Sequence, residues 1–402
     1  MTIRKYAQFG GANPETASLA HLLEFHGILS PHDDKPFSET MLLGIGGGIG
    51  GGYFLFEFGK QATVYIGSRH LWQNPKQYLE RLCSRLGVPA AFTETAGAKA
   101  AAKHLTEAIA SGHPAIAWVD LANLPYAALP KSLSGMVYHF VVVYGLDEKK
   151  NLAYLSDRAP AGITVTLEDL ANARSRISSN KNRLMTVDKP KKKIDLKIAI
   201  LGGIRACLDE LNNPKISNFG LPAIAKWGDL VNNPKDKKGW PQVFADGDGH
   251  FYSALRWSFA YIETYQTPGA AFRGMYADFL DQAAPITGLS ILTEAAAKYR
   301  ALAEEWHHLA DAFLPESSPA LKTLRELVMR RHQLFAEQGA GPQIQETAEK
   351  IEAALKETAA NPPLTTGDRT ALLAELQHRI RKIHEHELEA CILLSRAVSV
   401  AG

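Results

Sequence analysis

Cysteine is scarce. Cys83, Cys207 and Cys391 are the three thiols in 402 residues, scattered and without C-x-x-C spacing. That pattern argues against a disulfide framework or a zinc knot and leaves three reduced, buried thiols as the expectation. An excess of one charge sign is also missing: 44 basic against 42 acidic side chains leave +2, which gives no broad field to draw in a polyanion, so nucleic acid is not an expected partner. No stretch reaches the ~18 uninterrupted apolar residues of a spanning helix, and the opening "MTIRKYAQFGGANPETAS" has no apolar core of a signal peptide. A cytoplasmic chain with no membrane partner is expected. The hydrophobic share of 46% and charged share of 21% are ordinary for a folded protein, and the length suggests about two or three domains.

The pattern changes along the chain. Over residues 1–180, helical periodicities alternate with β-branched and aromatic runs: "ATVYIGS", "PAIAWVD", "HFVVVYGL", "NLAYLSD" and "GITVTL". These read as an α/β or α+β domain. The intervening "DEKK" has hairpin-loop length and pairs the third and fourth runs antiparallel. Residues 181–195 lie in a polar, basic, proline-containing stretch read as a linker, or as a solvated loop of one domain. From 196 to 402 the apolar residues recur at i, i+3, i+4 and i+7 with Gly and Pro punctuation, which predicts an all-α helical bundle; no fixed-period repeat suggests a solenoid.

Two local features stand out in the first 60 residues. "GIGGGIGGGYFLFEF" contains G-x-G-x-x-G at Gly46, Gly48 and Gly51, yet the aromatic run after it is strand-like and no G-K-[ST] closes it, so a nucleotide site is disfavoured. Consecutive glycines let the backbone take positive φ and approach a ligand or another element closely. Upstream, Asn13-Pro14-Glu15 is a strong helix start: Asn caps, Pro suits N1 and Glu favours the first turn. Leu19, Leu22, Leu23 and Phe25-His26 supply a buried stripe up to Gly27. Such a helix start is where amides lower a thiol pKa or hold an oxyanion, but no thiol is there to exploit it.

The blocks "NPETASLAHLLEFHG", "FSETMLLGIGGGIGGG", "YHFVVVYGLDEKKNLAYLSDR", "NFGLPAIAKWGDLV" and "FRGMYADFLDQAA" together resemble the butirosin-biosynthesis protein H family over nearly the whole chain. The resemblance implies an α+β fold: a papain/C39-peptidase-like N-terminal domain followed by an all-α helical-bundle domain of unassigned function. It implies an acyltransferase of specialised-metabolite or antibiotic biosynthesis, taking the acyl group from an acyl carrier protein thioester and giving it to a small-molecule amine. No cofactor is bound on that reading; the carrier brings the phosphopantetheine. A homodimer stays open. By position, the family histidine matches His139 and the acid that orients it matches Asp157. Imidazole takes a proton and carboxylate fixes the tautomer, which is what a thiol nucleophile needs.

The chain departs from the family at the first block, where a His-Cys pair is replaced by Asn13-Pro14. Three routes stay open: a binding or scaffold member without covalent chemistry, a substitute nucleophile at Thr16 or Ser18, or a step in which His139 alone is base. A hydrolase acting on a thioester is a further reading. Asn13, Gly46, Gly47, Gly48 and Tyr53 are the expected substrate-binding set, in a cleft holding His139, Asp157 and the 44–52 loop. Beside these stand plainer readings: His139 as a core histidine, Asp157 as a strand-end acid, and Ser38-Glu39 as a cap with a first-turn acid. No metal site is expected from His26, His32, Asp33 and Asp34, or from the Glu304, Glu305, His307, His308 group and Glu385, His386 and Glu387, read as solvated faces. Arg273, Tyr276 and Asp278 read as a buried network joining helices.

Overall fold

A computed structural model of the chain describes residues 2–58, 61–245 and 249–400. Among them run eight strands: β1 (Ile49–Phe58), β2 (Gln61–Arg69), β3 (Ala90–Thr93), β4 (Ala115–Asp120), β5 (Tyr138–Asp147), β6 (Leu152–Ser156), β7 (Ile163–Thr166) and β8 (Leu184–Val187). The fold is mixed α+β, with a six-stranded sheet in the N-terminal part and helices after it. No helix of the described residues is long and apolar enough to cross a membrane. The chain divides into two compact units. One comprises Met1–Leu42, Leu86–Asp195 and Arg330–Glu349; the other comprises Leu43–Arg85, Leu196–Met329 and Lys350–Gly402. The passage from Asp195 to Leu196 falls at the end of the basic stretch.

In the first unit the sheet order is β3-β8-β4-β5-β6-β7, every pairing antiparallel. The run "HFVVVYGL" forms β5, and a tight loop returns the chain into β6 with Asp147 opposite Leu152. β4 is buried along its whole length, and β5 through Val143 after its first residue. With both faces covered, these strands read as continuous apolar runs rather than alternating ones. The helix Pro14–Phe25 packs on β4, β5 and β8. Every residue from Pro14 to Leu23 is buried, so it is a central helix and not the striped one that its leucines predict. Of its polar members, Thr16 and His21 are hydrogen-bonded inside, to Asn13 and Glu39 and to the Ala17 carbonyl.

The second unit joins the β1–β2 hairpin to a set of helices: Pro75–Leu86, Leu196–Asn212, Gly220–Leu230, Gly249–Glu263, Arg273–Thr287, Ile291–Phe313 and Thr366–Val400. Arg273 is its electrostatic centre. The wholly buried guanidinium donates to the Glu387 carboxylate at 2.6 Å and to the carbonyls of Ser68, Ala271 and Gly50 at 3.3, 2.7 and 3.0 Å. It also stacks 4.8 Å from the centre of the Trp306 ring, whose Nε1 donates to the same Glu387 oxygen at 3.1 Å. One side chain thus ties the hairpin to two helices. Just before it, Ala270, Ala271 and Phe272 all have left-handed φ, of 48°, 48° and 70°. Non-glycine residues pay roughly 1 kcal/mol or more for this, and the Arg273 bond to Ala271 holds the turn. Asp278 stands apart from this network and pairs with Arg300 at the surface.

Candidate functional site

The helix start is built as its sequence requires. Asn13 is extended and its Oδ1 accepts from the Thr16 amide at 3.1 Å, while Pro14 takes N1. A second acceptor comes from the following helix. Ser38 caps that helix through Met41 N at 3.2 Å. Glu39 turns back, accepting from Ala12 N at 2.7 Å, Asn13 N at 3.1 Å and the Thr16 hydroxyl at 2.8 Å. Burial pushes its carboxyl up, against the three donors and the nearby Arg158. Donors that a helix start would offer to an oxyanion are therefore already engaged by the protein. Replacing Glu39 by Gln sets an amide NH₂ against one of these donors and is expected to cost about 1–3 kcal/mol, measured by urea unfolding. Unchanged stability would mean that the clamp contributes nothing.

His139 enters at the start of β5, opposite Val119 of β4, and Asp157 follows the last residue of β6. The pairing of β5 with β6 brings them together: His139 Nε2 lies 2.9 Å from Asp157 Oδ2. The Tyr126 hydroxyl donates to the same oxygen at 2.8 Å, and Arg158 N donates to Oδ1 at 2.7 Å. Burial would raise the carboxyl, but His139, Arg158 and Tyr126 outweigh it and hold Asp157 below the ordinary carboxylate range. An ionised carboxylate only accepts, so Nε2 carries the proton and Nδ1 is the basic nitrogen of the neutral ring.

The turn before the first helix is bound to the same place, because Gly11 N donates to Arg158 O at 2.7 Å. Gly10 has φ +75°, and an added Cβ would lie 2.8 Å from that carbonyl. Positive charge surrounds the pair. Arg158 stacks 4.8 Å from the centre of the Phe335 ring on the helix Pro319–Gln338, and Arg331, one turn earlier on that helix, donates to Ala127 O. Burial and then Arg158 lower Arg331 to about 10. The pair is nevertheless enclosed: His139 is 0% and Asp157 3% exposed.

Two family models match the chain. Residues 13–158 match "Butirosin biosynthesis protein H, N-terminal", and residues 168–334 match "Domain of unknown function (DUF4872)". The chain belongs to the butirosin biosynthesis protein H-like family. No curated protein matches it. The first model runs from the Asn13 cap to Arg158, the residue after Asp157, so it embraces both the helix start and the dyad of this family member.

In this butirosin biosynthesis protein H-like chain the place of the expected cysteine is Pro14, buried at N1. Thr16 is 0% exposed and gives its hydroxyl to Glu39, and Ser18 is buried on the same helix. The expected substrate-binding glycines are buried. They belong to the second unit, where an added Cβ would lie 2.6 Å from the Tyr78 ring at Gly46, 2.4 Å from the His70 ring at Gly47 (φ +119°) and 2.3 Å from the Tyr276 ring at Gly48 (φ +64°). Tyr53 is buried there too and accepts from Trp240 Nε1 at 2.9 Å. Glycine is needed so that aromatic rings can press on the backbone. Glu387, read as part of a solvated face, is wholly buried on Arg273. His307 pairs with Glu263 and His386 with Glu305, and among the described residues no group of three or more His, Cys, Asp or Glu converges as metal ligands.

The residues missed by sequence reasoning are Glu39 in its clamping role, Tyr126 and Arg331. Only Glu39 carried a signal, through the Ser-Glu that precedes the glycine block. Tyr126 sits in an irregular segment, and Arg331 is one of two adjacent arginines on a long helix, with nothing in its spacing to mark it.

Proposed function

We propose that the protein is a biosynthetic acyltransferase whose first unit is papain-like, moving an acyl group from a carrier-protein thioester or other activated donor to an amine without a covalent acyl-enzyme. The observation that carries this reading is the His139–Asp157 pair at 2.9 Å beside a helix start whose N1 residue is Pro14. In the step, Nδ1 of His139 takes a proton from the amine as its nitrogen attacks the thioester carbonyl. The C–N bond forms, the C–S bond breaks, and the proton returns to the departing phosphopantetheine thiolate. Asp157 holds the ring and stabilises its cationic form. Because His139 is covered, turnover on this reading needs an opening step before the donor can reach it.

A second reading, a binding member that holds carrier or product without turnover, is favoured by that same enclosure and by Pro14. The chain is incubated with short acyl-pantetheine thioesters and a panel of primary amines. Amide formation and intact protein mass are both followed. Amide without an acyl adduct on the protein is expected, with a loss of about 10²–10⁴-fold in His139→Ala at unchanged far-UV circular dichroism. Free acid in place of amide would make the protein a hydrolase. An adduct that disappears in Thr16→Ala or Ser18→Ala would replace the direct route by a hydroxyl nucleophile, and absence of any thioester loss would leave the binding role.

A further inference from the structure

We propose that the first unit carries a second ligand site, separate from the His139–Asp157 pair, for a small amphipathic anion: an apolar body of about a dozen non-hydrogen atoms ending in a carboxylate. A cavity of ≈ 400 Å³ lies between the helix Ala98–Ala110, the helix Leu167–Arg176 and the end of β5 at Leu146. Its origin is visible in the sequence. Ala98, Ala101, Ala102 and Leu105 recur at helical spacing on the first helix, and Leu170 and Ala171 face them from the second. Mostly short side chains leave the space between the two helices unfilled, where larger ones would have packed it to ordinary density. The volume is within the range of small-molecule sites and holds roughly a dozen atoms at about 30 Å³ each.

The class of ligand is set by the one buried charge in the wall. Arg174 is 3% exposed, and two of its nitrogens are spent on the carbonyls of Ala101 at 3.2 Å and Asn182 at 2.9 Å. Its Nε has no hydrogen-bond partner, and among the described residues no carboxylate pairs with the guanidinium. Burial alone lowers it to about 10. A buried cation is costly without an anion beside it, and an apolar cavity floored by such a cation suits an apolar acid. Glu148, also lining the cavity, is exposed and stands where solvent screens it. Leu146 and His139 lie at opposite ends of β5, roughly 20 Å apart at the strand rise. A ligand here therefore does not touch the dyad, and the site stands whether or not acyl transfer is the activity.

Decanoate and its neutral counterpart decanol are titrated into the full chain by calorimetry. One decanoate per chain is expected, bound at least about tenfold more tightly than decanol. Ala102→Phe and Ala171→Phe, both at exposed helix positions, fill the cavity and are expected to weaken decanoate at least about tenfold while the thermal midpoint stays at the wild-type value. Arg174→Gln is expected to abolish the preference for decanoate over decanol. Absence of decanoate binding, binding indifferent to both phenylalanine substitutions, or equal affinity for decanol would each overturn the site.

Discussion

Asp157→Asn is expected to lower amide formation by about 10²–10⁴-fold, the range for loss of the residue that orients a catalytic histidine, while leaving the fold in place. The carboxylate accepts from three donors at once: His139, Tyr126 and Arg158 N. An amide has one accepting oxygen. If that oxygen faces Arg158 N, the NH₂ meets His139 and drives the ring proton to Nδ1, the nitrogen that has to be basic. If it faces His139, the NH₂ meets the Arg158 amide instead. The first arrangement costs the base its free nitrogen, and the second leaves one buried donor facing another, at about 1–3 kcal/mol.

The pH dependence is fixed by the direction of the Asp157 shift. A carboxyl held below its unfolded value, about 3.9, contributes stability that is present above that value and is lost as pH falls through the folded one. Urea unfolding of wild type and variant is therefore expected to differ most near neutrality and to converge as pH drops below about 4. A gap that does not change with pH, or full activity in Asp157→Asn, would show that the carboxylate does not perform this role.

Arg273→Ala should be the most damaging single substitution in the second unit, at about 3–5 kcal/mol. It strands the Glu387 carboxylate in the interior and removes the donor from three carbonyls on the hairpin and the turn before the helix. It also frees the left-handed Ala270–Phe272 turn from its tie. The double change Arg273→Met with Glu387→Gln removes both charges and keeps an acceptor for Trp306 Nε1. It is expected to recover a large part of the loss, because the damage comes mainly from an uncompensated charge. Tryptophan fluorescence during urea unfolding reports on this unit through Trp227, Trp240 and Trp306. A double variant no more stable than Arg273→Ala would place the damage in lost packing.

Much of the architecture was legible because it is encoded locally. The valine run of β5, the loop into β6, the Asn13-Pro14 helix start and the helical periodicity after 196 depend on neighbours a few residues away. The departures come where distant contacts decide. Glu39 has the position of a first-turn acid, and nothing within its own helix reveals that it clamps Ala12, Asn13 and Thr16. Glu387 lies in "HEHELEA", a string that reads as a wet face until Arg273 is set against it. The glycines of 46–48 announce a close approach without naming its partner, and the partners are aromatic rings.

Composition, period and turn chemistry thus decided which segments are helix or strand, and the proline at the helix start excluded a thiol there whatever the fold. Pairing of strands and return of the 330–349 segment to the first unit are events of the folded chain. They decided that an imidazole and a carboxylate meet, that a tyrosine and arginines surround them, and that the whole is covered. Burial and charge neighbourhood are sums over residues far apart in sequence, and a one-dimensional pattern carries no record of those sums.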